Sequence, residues 1–185
     1  MPSPIILYIA ASLDGYVAAP DGSFDFLSPF EGTGEDYGYA CLLSRIGALL
    51  MGRRTYEQIL GFDTWPYSDL PVLVLASRPL PTPEGGDVSF VAGGPADLVR
   101  AARKRTDRPL WLVGGARLAQ SMFGAGLVDE LELALVPVLL GDGIRLFGAQ
   151  APPGGLTLAE ARTFRSGLVM LRYRVGTGSP QPTGA

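Results

Sequence analysis

The 185-residue chain contains no histidine and only one cysteine, Cys41. The first absence removes Ser-His-Asp and Cys-His catalysis, histidine-ligated metals and imidazole as a proton relay. The second excludes an internal disulfide and a cysteine cluster for zinc, so no metal site is expected. Apolar residues make up 47% of the chain, but they fall in short runs rather than one span of about 18 or more, so no membrane helix is expected. The first strand candidate starts almost at the N-terminus without a basic region or cleavage site, and we read no signal peptide. A net charge of −3 argues against general nucleic-acid affinity. No repeat and no linker to a second domain is visible. The expectation is one soluble, cytoplasmic domain with a sizeable core.

What is present is an alternation of short apolar runs with helical patterns. Residues 5–11 read as a central strand ending in Ser12-Leu13-Asp14-Gly15-Tyr16-Val17-Ala18, where Asp14-Gly15 also fits a simple hairpin turn. Residues 22–34 read as loop, with Phe24, Phe26 and Phe30 pinning it to the core or walling a pocket. Tyr39, Leu42, Leu43 and Ile46 give an apolar face to a helix over 35–45. Residues 48–51 form a buried strand, and Gly52-Arg53-Arg54-Thr55-Tyr56-Glu57 opens another helix. Two arginines at a helix N-terminus oppose its dipole unless an anion is shared. An aromatic loop over 62–71 leads to strands at 72–76, ending in Ser77-Arg78, and at 88–91. Residues 96–105 read as a basic helix with a solvated face.

The stretch around which the rest is organised begins at Leu110. Leu110-Trp111-Leu112-Val113 is a buried strand, Gly114-Gly115 follows, and a helix starts with Leu118, Met122 and Phe123 on one side. Strand, glycine pair and helix let a backbone approach an anion: no Cβ blocks it, and the first free N–H groups point at it. Alone, such a pair is more often a tight turn. Residues 131–140 read as a long strand broken near Pro137, and 156–164 and 168–175 flank an Arg165-Ser166-Gly167 hairpin turn. The tail from residue 176 reads as disordered. The pattern gives an α/β fold with three layers (α/β/α), its sheet mostly parallel with antiparallel C-terminal strands. Ligands of open α/β sheets sit outside the carboxyl ends of strands. The glycine and arginine junctions at 51–55, 77–78 and 114–117 could converge there on a phosphate-rich ligand.

From the first strand to about residue 175 the sequence resembles the dihydrofolate reductase-like superfamily, and within it the riboflavin-pathway pyrimidine reductase branch. The marks are Ser12-Leu13-Asp14-Gly15-Tyr16-Val17-Ala18, Met51-Gly52-Arg53-Arg54-Thr55-Tyr56-Glu57, Ser77-Arg78, and Val113-Gly114-Gly115-Ala116-Arg117-Leu118 with Gly126-Leu127-Val128-Asp129-Glu130-Leu131 and Pro137-Val138-Leu139-Leu140-Gly141-Asp142-Gly143. The resemblance implies a dihydrofolate reductase-like fold over 1–175. It also implies an NADPH-dependent reductase delivering hydride to a pyrimidine- or pterin-type heterocycle, as a 5-amino-6-(5-phosphoribosylamino)uracil reductase or a dihydrofolate reductase does. On that resemblance Gly52, Arg53, Arg54 and Thr55, with Gly114, Gly115, Ala116, Arg117 and Leu118, meet the pyrophosphate. Ser77 and Arg78, with Arg53 or Arg54, meet the 2′-phosphate, while Ala10, Ala11 and the Asp14-Gly15 turn lie by the nicotinamide.

Asp36 stands where dihydrofolate reductases carry their pterin-binding carboxylate; the competing reading makes it a cap at the exposed start of its helix. Asp14 and Asp36 are therefore the catalytic candidates, with a tyrosine such as Tyr37 or water as other proton sources. Tyr37, Phe62 and Trp65 are candidates for substrate contact. Residues 61–67 lack the arginine with which riboflavin reductases hold a substrate phosphate, which favours a flat, less charged substrate. Related domains pair through the sheet edge and C-terminal strands, so a homodimer is expected. The alternative from another class is a nucleotide-binding or dimerising module of the same fold without turnover.

Overall fold

The computed structural model describes residues 3–148 and 155–176; the expected disorder of the tail beyond residue 176 lies outside them. Eight strands form one sheet in the order β5-β4-β3-β6-β1-β7-β10-β9. The strands are β1 (Ile5–Ser12), β3 (Ala48–Gly52), β4 (Val72–Leu75), β5 (Val88–Val91), β6 (Leu110–Gly114), β7 (Glu130–Val136), β9 (Leu156–Thr163) and β10 (Val169–Val175). The six strands from β5 to β7 are mutually parallel, and β10 and then β9 add antiparallel pairings at the C-terminal edge. Near-continuous apolar runs suit the parallel strands because helices cover both faces.

Side-chain alternation along the strands divides the core into two layers. Ile6, Leu49, Met51, Val72, Val74 and Trp111 pack beneath α1 (Tyr39–Arg45) and α2 (Arg53–Leu60) through Leu42, Ile46, Tyr56 and Ile59. Ile5, Leu7, Leu50, Leu73 and Leu112 face α3 (Pro95–Ala102) and α4 (Ala116–Gly124) through Leu98, Val99, Ala119 and Met122. Each fully buried Leu or Ile contributes about 1.5–3 kcal/mol relative to exposure. A third cluster joins Ala134, Val136 and Leu168 to Phe26, Leu27, Phe30, Tyr37 and Phe164, so the early aromatics pin their segment to the sheet.

Several boundaries differ from the sequence reading. Residues 22–34 are not all loop, because Asp25–Phe30 forms a 3-10 helix. The helix expected from 35 starts only at Tyr39, after Tyr37 at φ +53° and Gly38 at φ +90°; two left-handed residues cannot continue a helix backwards. Strand β7 stops at Val136, before the proline that cannot donate to a ladder. The Asp14-Gly15 turn does not make a β1 hairpin. Gly15 takes φ +87° and sends β2 (Tyr16–Ala18) off the main sheet to pair with β8 (Ile144–Arg145). Among the described residues no helix is long and apolar enough to cross a membrane.

Candidate functional site

The junctions singled out in the sequence follow β4, β3, β6 and β1, which are consecutive neighbours in the sheet. Parallel pairing puts all four carboxyl ends at one edge. A Cβ added to Gly52 would lie 4.0 Å from the Gly114 carbonyl oxygen and 3.7 Å from Leu118 Cβ, and one on Gly115 would lie 3.0 Å from Thr55 Oγ1. The N-termini of α2 and α4 therefore stand side by side. Gly52 and Gly115 are their N-cap residues, neither helix has a side-chain cap bond, and neither first turn carries an acidic residue. Free N–H groups and the positive ends of two dipoles thus meet at one place. Gly114 holds φ +132°, and its peptide bond to Gly115 is cis.

Four arginines surround this edge. Arg53 is held by Glu57 at 2.8 Å. Arg54, Arg78 and Arg117 are exposed, as is Ser77, and none of these three arginines forms an ion pair among the described residues. Leu118 and Ala116 bury their side chains, so only their backbone can meet a ligand.

A cleft adjoins the edge. Strand β1 lies in the interior of the sheet between β6 and β7, and Ile5, Ile6 and Leu7 are fully buried. Yet Tyr8, Ile9 and Ala10 regain partial exposure before Ala11 and Ser12 are buried again. A strand flanked on both sides and covered by helices is exposed in mid-course only where a cleft reaches it. Tyr8 and Ala10 share the α1/α2 face, and the similarly half-exposed Val113 of β6 belongs to the same layer. Ile9 is half-exposed on the opposite face, so the opening is marked by Tyr8 and Val113 and by Ala10, which packs beside Phe26, Phe30 and Tyr37, with Ala10 towards the glycine edge and Tyr8 deeper. Ala11 points into the opposite layer.

The sequence-selected acids have structural partners. Asp14 Oδ1 accepts from Ser12 Oγ at 2.6 Å and from the Leu140 N–H at 3.2 Å, and Oδ2 accepts from the Gly141 N–H at 2.7 Å. The Ser12 hydroxyl, followed by the Gly141 and Leu140 N–H groups, holds this carboxyl below its ordinary value. With Leu13 N–H on the Val138 carbonyl at 2.9 Å, Asp14 fastens the 138–141 loop to the end of β1. Asp36 precedes α1 instead of lying within it and is exposed. Its carboxylate accepts from the N–H groups of Gly38 at 3.1 Å and Ala40 at 3.3 Å, which lower its pKa. Neighbouring Glu35 binds the Arg165 and Ser166 N–H groups at 2.8 and 3.0 Å, tying this segment to the β9–β10 turn.

The aromatic candidates do not meet at one point. The Tyr37 hydroxyl donates to the Phe30 carbonyl at 3.0 Å and lies 2.8 Å from Thr33 Oγ1, with its ring 5.0 Å from that of Phe164. Phe62 is 48% exposed and lies against Phe24. Trp65 packs between Tyr56 and Tyr67, in a row that continues to Trp111. Trp111 pairs in register with Ile6 and Leu49, in the amino-terminal half of the strands, so Trp65 lies away from the glycine edge. Two open hollows also lie off this edge, one of about 460 Å³ between β5 and α3 and one of about 420 Å³ around Phe62 and Trp65. Sequence reading passed over Tyr8, whose signal was a lone phenol inside an aliphatic strand. It also passed over β8, where Arg145 donates to the Tyr16 hydroxyl at 2.8 Å.

Comparison with known proteins agrees with this architecture. The profile of the RibD C-terminal domain matches residues 4–170. The chain is 34% identical to the uncharacterized protein YwjB of Bacillus subtilis (strain 168) over 169 residues, covering 91% of this chain and 95% of that one. A protein from Shewanella sp. PV-4 named for riboflavin biosynthesis superposes with a TM-score of 0.83 at 30% identity, covering 95% and 99% of the two chains. A diaminohydroxyphosphoribosylaminopyrimidine deaminase/5-amino-6-(5-phosphoribosylamino)uracil reductase of Thermotoga maritima shares the fold, with a TM-score of 0.66 and 14% identity over 94% of this chain and 57% of that longer one. The chain belongs to the RibD C-terminal domain family and has the dihydrofolate reductase-like fold of its pyrimidine reductases.

Proposed function

We propose that this member of the RibD C-terminal domain family is a cytoplasmic NADPH-dependent reductase that delivers hydride to a small pyrimidine- or pterin-type heterocycle. One observation carries the reading: two uncapped, glycine-started helices stand side by side at the edge of a cleft that reaches the interior of the sheet. The residues fit a dinucleotide. Gly52 and Thr55 of one helix start and Gly114, Gly115 and Ala116 of the other offer backbone N–H groups to a pyrophosphate, with Arg117 or Arg54 adding charge. Ser77 and Arg78 suit a ribose 2′-phosphate. Ala10, beside the Asp14-Gly15 turn, leaves room for a flat ring in the cleft.

Bound there, the nicotinamide would supply the hydride, and the protein's part is to orient it and to limit water. Asp14 contributes by fixing the 138–141 loop, and Asp36 by fixing the entry to α1. Both are held ionised at neutral pH by the donors they accept from, and Tyr37 is occupied by Phe30 and Thr33. Water entering the cleft is therefore our assignment for the proton that completes reduction.

Pairing as a homodimer belongs to the same proposal. On the face of the C-terminal strands opposite Arg172, the row of Leu171, Tyr173, Leu156 and Leu158 is apolar, with Leu156 43% and Leu158 53% exposed. Leucines exposed together on an edge hairpin suit a contact between copies.

Titration with NADPH and NADH, followed by energy transfer from Trp111 and Trp65, tests the cofactor. NADPH is expected to bind tighter by about a hundredfold if two charge-assisted bonds to the 2′-phosphate are realised. Failure of both nucleotides to bind would end the reading. NADPH binding without oxidation across pyrimidine, pterin and quinone-like substrates would instead favour a nucleotide-binding module.

A further inference from the structure

The deep end of the cleft has a composition that the cofactor does not explain. Tyr8, Tyr39 and Tyr67 surround the ring of Trp111 edge-on, with centroids 6.1, 5.7 and 5.7 Å away. Tyr8 and Tyr39 also lie 6.4 Å apart. Trp111 is locked in turn, because its Nε1–H donates to the Tyr8 carbonyl at 3.3 Å. All three tyrosines are half-buried. The Tyr8 hydroxyl has only a long bond, 3.4 Å to the Tyr37 carbonyl, where a good O–H···O bond is about 2.7–2.8 Å. The hydroxyls of Tyr39 and Tyr67 have no partner among the described residues, and neither is a buried orphan, so both are free to donate to a molecule that reaches them.

The charges nearby make this a neutral-to-negative environment. Glu132 is the register partner of Tyr8, is 7% exposed, and is held by Arg45, which also reaches Glu130 at 3.6 Å. Burial, followed by the Glu132 and Asp36 carboxylates, pushes the Tyr8 phenol far above its ordinary value. Burial also raises Tyr39, and burial with the proximity of Tyr39 raises Tyr67. The three remain proton donors throughout the physiological range. Arg45 is already engaged by two carboxylates, and Arg162, whose charge reaches Asp36, is stacked on Phe164.

We propose that Tyr8, Tyr39 and Tyr67 are the specificity-determining wall of the substrate cleft, donating hydrogen bonds to the carbonyl acceptors of an uncharged ring and excluding its phosphorylated counterpart. The inference rests on the cleft being the substrate site of the proposed reductase. Three phenolic donors suit a neutral ring with two or three acceptors. A phosphate here would lose its hydration beside the Glu132 and Asp36 carboxylates, with the Arg45 guanidinium already committed to Glu130 and Glu132. Discrimination is strongest where buried donors would otherwise be left unpaired.

Isothermal titration of uridine and uridine 5′-monophosphate, into the NADP+-saturated and the cofactor-free protein, tests the assignment. Uridine should bind at least about tenfold tighter than its monophosphate. Y8F and Y39F should each weaken uridine by about tenfold, roughly the effect of removing one donor to a buried acceptor, while leaving NADPH affinity unchanged. The control variant Y173F, in the sheet face away from the cleft, should bind uridine as the wild type does. Equal or tighter monophosphate binding, no uridine binding to either form, or wild-type affinity in Y8F and Y39F would overturn the proposal. Loss of NADPH binding in the wild type would count against the reductase reading alone, since uridine binding to the cofactor-free protein still decides the role of the tyrosines.

Discussion

Arg78 stands exposed just beyond β4, without an ion-pair partner among the described residues. An exposed cation without an ion-pair partner is available to a ligand, so Arg78→Gln separates a ligand role from a structural one. We expect its melting temperature to match the wild type and its NADPH affinity to fall by about ten- to a hundredfold, the worth of one charge-assisted bond. NADH affinity should hardly change; equal losses for both nucleotides would remove Arg78 from the 2′-phosphate. Asp14 makes the opposite case, a polar residue whose partners are all internal. Its carboxyl is held below the ordinary value, chiefly by Ser12 and then by Gly141 and Leu140. A depressed folded-state pKa contributes stability above the ordinary carboxylate value of about 4, and that stability is lost as pH falls through the folded value. Thermal melts from pH 7 to pH 3 should therefore fall more steeply for the wild type than for Asp14→Asn. Parallel curves would show that the 138–141 loop is fastened by something else. Both residues were legible as important in the sequence, but their kinds of importance were not. That depended on which partners the loops brought, 126 residues away in the case of Leu140.

At the scale of elements, the strand-glycine-helix junctions were readable because each is local: an apolar run, a residue without Cβ, and a new helical period. Their convergence followed from sheet order, which the alternating pattern implied without specifying. What stayed hidden was set by tertiary contacts. The start of α1 moved because residues 37 and 38 take left-handed conformations, and the packing of Trp65 between Tyr56 and Tyr67, beside a hollow it shares with Phe62, could not be read from its loop. The cleft itself appears only as the regained exposure of Tyr8 to Ala10 in mid-strand, which no propensity encodes. The junctions can be tested as elements. Gly52 has ordinary backbone angles, φ −81° and ψ 160°, and an added Cβ would meet only ordinary contacts at 3.7 and 4.0 Å. Gly52→Ala should thus fold with a near-native melting temperature yet bind NADPH at least about tenfold more weakly, because the methyl stands in the proposed path of the pyrophosphate. Unchanged NADPH affinity would reduce the junction to a turn. Beneath the cleft, Arg45→Ala leaves Glu132 buried and unpaired, which should cost about 3 kcal/mol in denaturant unfolding. Glu130→Gln, which removes only the 3.6 Å contact, should cost under about 1 kcal/mol.

The whole molecule is asymmetric in how its sheet is covered. Strands from β3 to β7 carry helices or the Asp25–Phe30 segment on both faces, but every described residue of β9 is exposed. Hairpin residues alternate, placing Glu160, Arg162 and Arg172 on one face and Leu158, Ala161, Leu171 and Tyr173 on the other. The charged face looks after itself in water: Arg172 pairs with Glu160 at 3.1 Å, and Arg162 stacks on Phe164 at 4.8 Å. On the apolar face Tyr173 and Val175 pack against the core, but Leu156 and Leu158 stay exposed, and leucines exposed on an edge hairpin are a liability for a protein that stays monomeric. A second copy applied by a two-fold axis would cover the same residues on both chains, the arrangement closed symmetry favours. Sedimentation velocity should give a dimer for the wild type. Leu158→Asp places a charge at the centre of that face without touching the core and should give a folded monomer. Because the glycine edge lies at the other strands' carboxyl ends, the monomer should keep its NADPH affinity within about twofold, as expected for sites that share no partners. A dimeric Leu158→Asp would show that the copies meet through another surface. A monomer that no longer binds NADPH would mean that the hairpin holds the cleft in shape through Glu35, which bridges the β9–β10 turn to the entry of α1.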